Sequence, residues 1–350
     1  MVEKLGTQAT IKDVARRASV STTTVSRYLN GFAGIKPDTK ERIAEAIGAL
    51  NYRTNIAARG LVTKTTRILG VMALTDVDDF FNNAFFMHVL KGISRTAAAA
   101  RYDVLLSTAG GDAEEILADW IHGRRIDGIV LLRSRVNEPA MQLIQRERFP
   151  AVVLGRPCVN EVSYVDNNNV TAAYTATKHL IDLGHERIAF IGGAPDLAVT
   201  EDRLLGYRQA LAQASLPVSD AYILLGQYEW QSGYNLCSTL LQSSVPPTAL
   251  VASDDGIAIG ALQAAHDLGW IVPENLSVIG FNDIPASEFS IPPLTTVEVH
   301  MEQLGTAVAE VLLQKIANPE RAVQRVIVKT RIILRSSTGR APAPVLTERS

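Results

Sequence analysis

Residues 9–31 read ATIKDVARRASVSTTTVSRYLNG. Ile11, Val14, Ala15 and Ala18 recur at helical spacing, and Val25 and Leu29 do so after a break. The spacing predicts two short amphipathic helices, each burying one stripe. Ser19-Val20-Ser21 makes the turn between them, and Ser21 can cap the second helix by accepting from an unpaired amide of its first turn. The exposed face of that helix then carries Thr22, Thr23, Ser26 and Arg27. Small hydroxyls and a guanidinium near a helix N-terminus suit phosphates and base edges in a major groove. The stretch therefore reads as a DNA-binding helix-turn-helix, with Thr10, Ser21, Thr22, Thr23, Thr24, Ser26, Arg27 and Asn30 as its candidate contacts.

A threonine-rich helix face is more often just solvated, so the charge distribution has to decide. Residues 1–64 hold eleven Lys and Arg against five Asp and Glu, whereas the remainder holds 23 against 31. The overall formal charge of −2 thus hides a basic head on an acidic body. That asymmetry is the electrostatic footprint of a DNA-binding module. A third helix is expected from Pro37 to about Leu50, with Ile43, Ile47 and Leu50 facing the first two. After it comes NYRTNIAARGLV at 51–62, rich in small residues and carrying one leucine with nothing obvious to bury it.

These segments, together with body motifs described below, resemble the lactose-repressor (LacI) family of bacterial transcription regulators over nearly the whole chain. The resemblance implies that the stretch after the third helix becomes a hinge helix on operator DNA. Leu61 matches the leucine that enters the minor groove as an apolar wedge, and Ala58 and Arg59 match the residues before it. Asn55 lies in the same segment. Unstacking a base step costs energy that the bent duplex returns through further contacts. Two positions depart from the family pattern: Thr54 stands where proline is frequent, and Gly60 falls inside the expected helix. Glycine disfavours helix by roughly 1 kcal/mol against alanine, so hinge folding should depend strongly on DNA and on a partner subunit.

At 350 residues the chain has room for this head and two further lobes. Uninterrupted apolar runs at 68–74, 104–107, 128–132, 151–154, 188–191, 249–252 and 278–281 alternate with helical patterns at 87–100, 170–183, 204–214 and 257–268. Such alternation means parallel sheets covered by helices on both faces, an α/β body. The resemblance implies two periplasmic-binding-protein-like lobes with a ligand cleft between them. The expected organisation is a head at 1–52, a hinge at 53–65, an effector-binding and dimerisation domain at 66–340 and a flexible tail at 341–350.

Within the body, RLLGY at 203–207 matches a family motif whose arginine, here Arg203, reaches the ligand; a guanidinium fork can grip vicinal hydroxyls or a carboxylate. Tyr228 matches a cleft aromatic, although a core tyrosine is nearly as good a reading. Asp254-Asp255 and GFND at 280–283 match the family's Asn-Asp and Gly-[YF]-Asp-[DN], with Asp254 replacing an amide and Asn282 replacing an acid. The segment 71–86 ends in a relative of Asn-Pro-Phe-Phe but runs about four residues longer than is usual in the family. A longer loop at the cleft mouth bearing Phe80, Phe81, Phe85 and Phe86 would suit a ligand larger than one hexose. With the motifs at 123–128, 132–135, 154–157 and 165–169, this combination is most similar to maltose- and maltodextrin-responsive members. Arg133 and Arg156 leave open a sugar acid or sugar phosphate instead.

No segment reads as transmembrane or as a signal peptide, which suggests a cytoplasmic protein. Cys158 and Cys237 have no metal or redox spacing, the six histidines form no ligand cluster, and no P-loop, dinucleotide fingerprint or nucleophile elbow occurs. No cofactor, metal or enzymatic activity is expected. The reading is a homodimeric repressor on a near-palindromic operator, its affinity set by a small sugar. The region after Ser336 lacks the leucine heptads of a tetramerising coiled coil, which favours a dimer. The rivals are a global catabolite regulator controlled by a phosphorylated carrier protein, a plain sugar-binding protein, and a sugar-converting enzyme.

Overall fold

The computed structural model describes residues 9–29, 31–52, 65–109, 112–132, 139–157 and 159–343. Asn30, Asn55, Ala58, Arg59, Leu61, Arg133 and Cys158 lie outside the described residues. The chain divides into two compact units, Met1–Thr66 and Arg67–Ser350.

The first unit holds α1 (Ile11–Arg17), α2 (Thr22–Leu29) and α3 (Pro37–Ala49). Val14, Ala15, Ala18, Val25, Ile43 and Ala46 form its buried centre, with Ile11, Leu29, Ile47 and Leu50 packed around it. The expected stripes are therefore the buried ones. Ser19 adopts a left-handed φ of 51° in the turn, and Ser21 caps α2 by accepting from the Thr24 amide at 3.1 Å.

The second unit opens with β1 (Ile68–Ala73), α4 (Val77–Asn82), α5 (Ala84–Ala99), β2 (Asp103–Thr108) and α6 (Ala113–His122). It continues through β3 (Gly128–Leu132), α7 (Ala140–Glu147), β4 (Ala151–Leu154) and β5 (Ser163–Asn167). Then follow α8 (Asn169–Asp182), β6 (Ile188–Gly192), α9 (Ala198–Gln213), β7 (Ile223–Leu225), α10 (Trp230–Leu241) and β8 (Ala249–Ala252). The last elements are α11 (Asp255–Asp267), β9 (Ser277–Asn282), α12 (Pro285–Phe289), β10 (Thr295–Glu298), α13 (Met301–Ala317), β11 (Arg325–Val328) and β12 (Arg331–Ile333).

The described strands form two six-stranded sheets, in the orders β11-β5-β4-β3-β1-β2 and β12-β10-β9-β8-β6-β7. Every pairing is parallel except β10 with β12. Two apolar clusters sandwich the first sheet and two the second, which is why the central strands are apolar on both faces. The chain passes from one lobe to the other after β5, after β10 and between β11 and β12. One amide ties these passages: Asn167 Nδ2 donates to Val299 O at 3.2 Å and to Val328 O at 3.0 Å. Both bonds are buried, so the three passages are held at a single node.

Three expectations are corrected. The segment ahead of Phe85 is a helix rather than an open loop: Asp76 caps α4 by accepting from the Asp79 amide at 2.8 Å. Phe80 is fully buried and stacks on Phe86 with ring centroids 5.2 Å apart, so it belongs to the core; Phe81 remains exposed. On α2, Ser26 is half-buried rather than exposed. At residue 341 the Ala341 amide donates to Leu183 O at 2.9 Å.

Helix α13 follows the second passage back to the first sheet and crosses α5 at two glycines. A Cβ on Gly305 would lie 2.0 Å from Val89 O, and one on Gly92 would lie 2.2 Å from Glu302 O. Backbone, not a flexible side chain, fills the space. Gly305→Ala should therefore force the two helices apart and destabilise the body by about 1–3 kcal/mol, the usual range for overpacking. Urea unfolding checks this; an unchanged midpoint would contradict so close a crossing.

Candidate functional site

In parallel α/β sheets, ligands bind beyond the carboxyl ends of the strands. Here the carboxyl ends of both sheets line one cavity. Asn83, Phe85 and Phe86 follow β1, Arg156 follows β4, and Asp166 and Asn167 end β5. From the other lobe come Asp202 and Arg203 after β6, Tyr228 after β7, Asp254 after β8 and Asn282 at the end of β9. The cavity encloses about 760 Å³ of empty space, open solvent at its mouth included. Of the expected effector residues, Phe85, Phe86, Arg156, Arg203, Tyr228, Asp254 and Asn282 all line it.

Arg203 is the buried cation of this cleft, only 5% exposed, and shares the lining with Arg156. Its Nε donates to Asn169 Oδ1 at 3.0 Å, its Nη1 donates to Ser253 O, and its plane lies 4.3 Å over the Phe281 ring. Burial pushes the guanidinium below its ordinary range, while Tyr228, Asp254 and Asp166 act in the opposite sense. A buried cation is tolerated only when paired and hydrogen-bonded. Arg203 is hydrogen-bonded within the second lobe, to the Asn169 side chain and the Ser253 carbonyl.

Asp254 caps α11: its Oδ1 accepts from Gly256 N and its Oδ2 from Asn282 Nδ2, both at 2.7 Å. Burial raises its carboxyl above the usual range, opposed by these donors and by Arg203. A carboxylate can only accept, so Asn282 must turn its NH₂ toward Asp254. Its carbonyl oxygen is then left buried without a protein partner, on a backbone held at φ 105°. The exchange of acid and amide seen in the sequence is thus a hydrogen-bonded pair.

Arg156 behaves differently from the expectation of a free anion hook. Its Nε donates to both oxygens of Asp202, at 3.0 and 3.1 Å, and its Nη2 to Glu201 at 2.6 Å. Those bonds, Asp202 first, raise the guanidinium's proton affinity. Because Arg156 follows β4 and the two acids lie on α9, this fork joins the lobes across the cleft. Tyr228 presents its hydroxyl to Thr200 Oγ1 at 3.0 Å, and its ring rests on the Gly193 backbone, where a Cβ would come within 2.0 Å of the ring.

The residue that sequence reasoning passed over is Asp166. It sits in the run VDNNN at 165–169, which was singled out as a motif without a role. Asp166 Oδ1 accepts from Asn169 Nδ2 at 3.0 Å, and Asn169 in turn holds Arg203. Burial pushes the Asp166 carboxyl up to about 7, against the pull of the Asn167 amide. Near neutral pH it can therefore either give or accept a hydrogen bond in the cleft. Its signal was faint because β5 carries Ser, Asp and Asn in place of an apolar run.

In the head, Thr22, Thr23 and Arg27 are exposed along α2, as a groove-reading face requires. Ser21 Oγ and Thr24 Oγ1 are 2.9 Å apart, so their hydroxyls engage each other at the helix start. Thr10 Oγ1 donates to Asp13 Oδ2 at 2.7 Å, and that bond lowers the Asp13 carboxyl. Cys237 is a free, buried thiol whose burial raises it to about 12. Among the described residues no helix is long and apolar enough to cross a membrane.

Fold and site together define a helix-turn-helix regulator with a two-lobed ligand-binding body. Residues 10–55 match the model of bacterial regulatory proteins of the lacI family, and residues 177–338 match a periplasmic binding protein-like domain. Catabolite control protein A of Priestia megaterium is 35% identical over 94% of this chain and 99% of its own. The regulator MalR of Streptococcus pneumoniae is 33% identical over 87% of this chain and 92% of its own. The solved complex of the transcriptional regulator CelR with cellobiose is 29% identical, with a TM-score of 0.75 over 94% of this chain and 99% of that chain. The chain belongs to the lacI family of DNA-binding transcriptional regulators; these relatives are regulators, not enzymes.

The proton held by Asp166 has a measurable consequence. A carboxyl raised from 3.8 to about 7 keeps its proton in the folded state while the unfolded chain has released it. Stability from this group is therefore present below the unfolded value and lost as pH rises through the folded one. Asp255, also raised to about 7 by burial, adds to the same slope. Asp166→Asn should flatten, without abolishing, the fall in unfolding free energy between about pH 4 and pH 7. Urea titrations across that range check this, and an unaltered slope would contradict it.

Proposed function

We propose that the protein is a homodimeric repressor whose operator affinity is set by a neutral sugar in the inter-lobe cleft, a maltose- or maltodextrin-type ligand. The observation that supports this most directly is the cleft's charge state. Of its two described arginines, Arg156 is paired with Asp202 and Glu201, while Arg203 spends two of its five N–H groups on the neutral Asn169 and Ser253 oxygens. Asp166 and Asp254 also line the cavity. An anion would meet these two carboxyl groups beside Arg203, whereas sugar hydroxyls can both donate to carboxylates and accept from the guanidinium. Phe85, Phe86 and Tyr228 add flat faces suited to the apolar side of a sugar ring.

In this reading Thr22, Thr23 and Arg27 contact base edges in each half-site, with Thr10, Ser21, Thr24, Ser26 and Asn30 on the flanking backbone. The segment carrying Asn55, Ala58, Arg59 and Leu61 forms the hinge, and Leu61 enters the central minor groove. The protein acts in the cytoplasm, on chromosomal DNA. Sugar alters DNA affinity only by favouring one arrangement of the lobes over another. A second copy is supported by an exposed apolar surface beside the C-terminal sheet, where Phe289 is 77%, Ile291 92% and Leu334 65% exposed. Ile291→Asp should convert a dimer to a monomer in light scattering at micromolar concentration; a mass unchanged from wild type would remove this face from the interface.

A second reading follows from the similarity to catabolite control protein A. It replaces the cleft sugar with a carrier protein as the controlling partner. Thermal-shift measurements separate the readings. A ligand at a hundredfold excess over its Kd adds about 2.7 kcal/mol to the native state. Maltose, maltotriose or cellobiose should raise the melting temperature, and gluconate or glucose 6-phosphate should not. Arg203→Lys keeps the charge but loses the fork, so it should remove the sugar shift, with its unliganded melting curve checking that the body is still folded. A shift only with acids or phosphates, or with none of these, would overturn the neutral-sugar reading.

A further inference from the structure

Phe32 is a large apolar side chain in the small DNA-binding unit, and it lies outside the head's core, 53% exposed. Its ring instead meets the guanidinium of Arg27, whose Cζ lies 5.2 Å from the ring centroid. Three features of the chain hold it there. Gly31 takes a left-handed φ of 72° just past α2, a conformation that costs glycine least. The Phe32 amide then donates to Arg27 O at 3.0 Å, so the ring and the arginine start from hydrogen-bonded backbones. A Cβ on Gly34 would come within 2.8 Å of Phe32 Cε1, so the missing side chain makes room for the ring where it now lies. This GFAG turn at 31–34 lies just past the helix that carries Thr22, Thr23 and Arg27.

We propose that Phe32 is a positioning residue for DNA recognition: its ring holds the Arg27 guanidinium in the orientation that reads a base edge. This rests on the reading of Arg27 as a base contact. A free arginine loses considerable rotamer freedom when it docks on a base, and a planar fork reads guanine only in one orientation. Stacking on an exposed ring removes part of that freedom before DNA arrives, and a cation over an aromatic face is attracted electrostatically as well. Such preorganisation acts on sequence-specific binding and leaves the salt-dependent phosphate attraction alone.

The test uses the full-length protein and a duplex enriched by the wild type from a randomised pool, with a scrambled duplex of equal length as control. Fluorescence anisotropy gives Kd at two salt concentrations for Phe32→Leu, Phe32→Trp, Arg27→Ala and the double variant Arg27→Ala/Phe32→Leu. Phe32→Leu should weaken the enriched duplex by about two- to five-fold, the range of an exposed cation–π contact, with the scrambled duplex and the salt slope unchanged. Phe32→Trp should keep wild-type affinity. In the Arg27→Ala background, Phe32→Leu should cost nothing further. Equal losses on both duplexes, losses that add in the double variant, or no loss from Phe32→Leu would overturn the proposal. If Arg27→Ala itself left the enriched duplex unaffected, the base-contact reading would fail first, a result distinct from failure of the positioning role alone. Circular dichroism melting of each variant separates an unfolded head from either outcome.

Discussion

Burial of the Arg203 guanidinium is the constraint on which the effector half of this molecule depends. Taking a cation out of water costs several kcal/mol unless dipoles and charges replace the lost solvation. The replacements come from elements far apart in sequence: Asn169 at the start of α8, the Ser253 carbonyl at the end of β8, and the Phe281 face on β9. Asp166 and Asp254 lie nearby and favour the charged guanidinium whenever they are ionised. Satisfying one guanidinium thus fixes where several strand ends meet, and those strand ends are the cleft. The site is polar because the arginine demands it.

Two further interactions decide how the lobes can move. The Asn167 amide clasps two of the other passages between lobes, and Asn167 itself lines the cavity. Arg156 bridges from the first lobe to Asp202 and Glu201 on the second, out at the rim. Asp202 and Arg203 are neighbours on α9, so the rim fork and the buried cation share one helix turn. In the proposed reading, a ligand that reorders hydrogen bonds around Arg203 would act on the helix that also carries the fork's acids. Coupling to DNA then requires only that the two lobe arrangements differ in how they present the segment ahead of Arg67.

Much of this was readable from residues alone, and the failures have physical causes. The head was legible because two independent signals agreed, helical apolar spacing and a basic charge excess; its buried residues are the ones the spacing marked. The central strands β1, β3, β4, β8 and β9 were legible as apolar runs, since sheets covered on both faces need them. Strands β5, β10, β11 and β12 were not, because they lie toward the sheet edges with Ser, Thr, Glu or Arg in them. The stretch ahead of Phe85, longer than is usual in the family, was read as a loop, yet Asp76 makes part of it a capped helix that buries Phe80. In the cleft, residue types were readable but their partners were not. Whether Arg156 is free or committed depends on acids 45 and 46 positions away, which only the fold brings together.

The central claim is that a neutral sugar in the Arg203 cleft changes the protein's hold on DNA. The most direct measurement is the Kd for a selected operator duplex, with and without saturating maltose or maltotriose, using purified protein and no other macromolecule. The account predicts a change of about five-fold or more, the usual span of coupling between two linked sites, and by linkage an equal change in sugar affinity when DNA is bound. Sugar that saturates the cleft yet leaves operator affinity unmoved would contradict it.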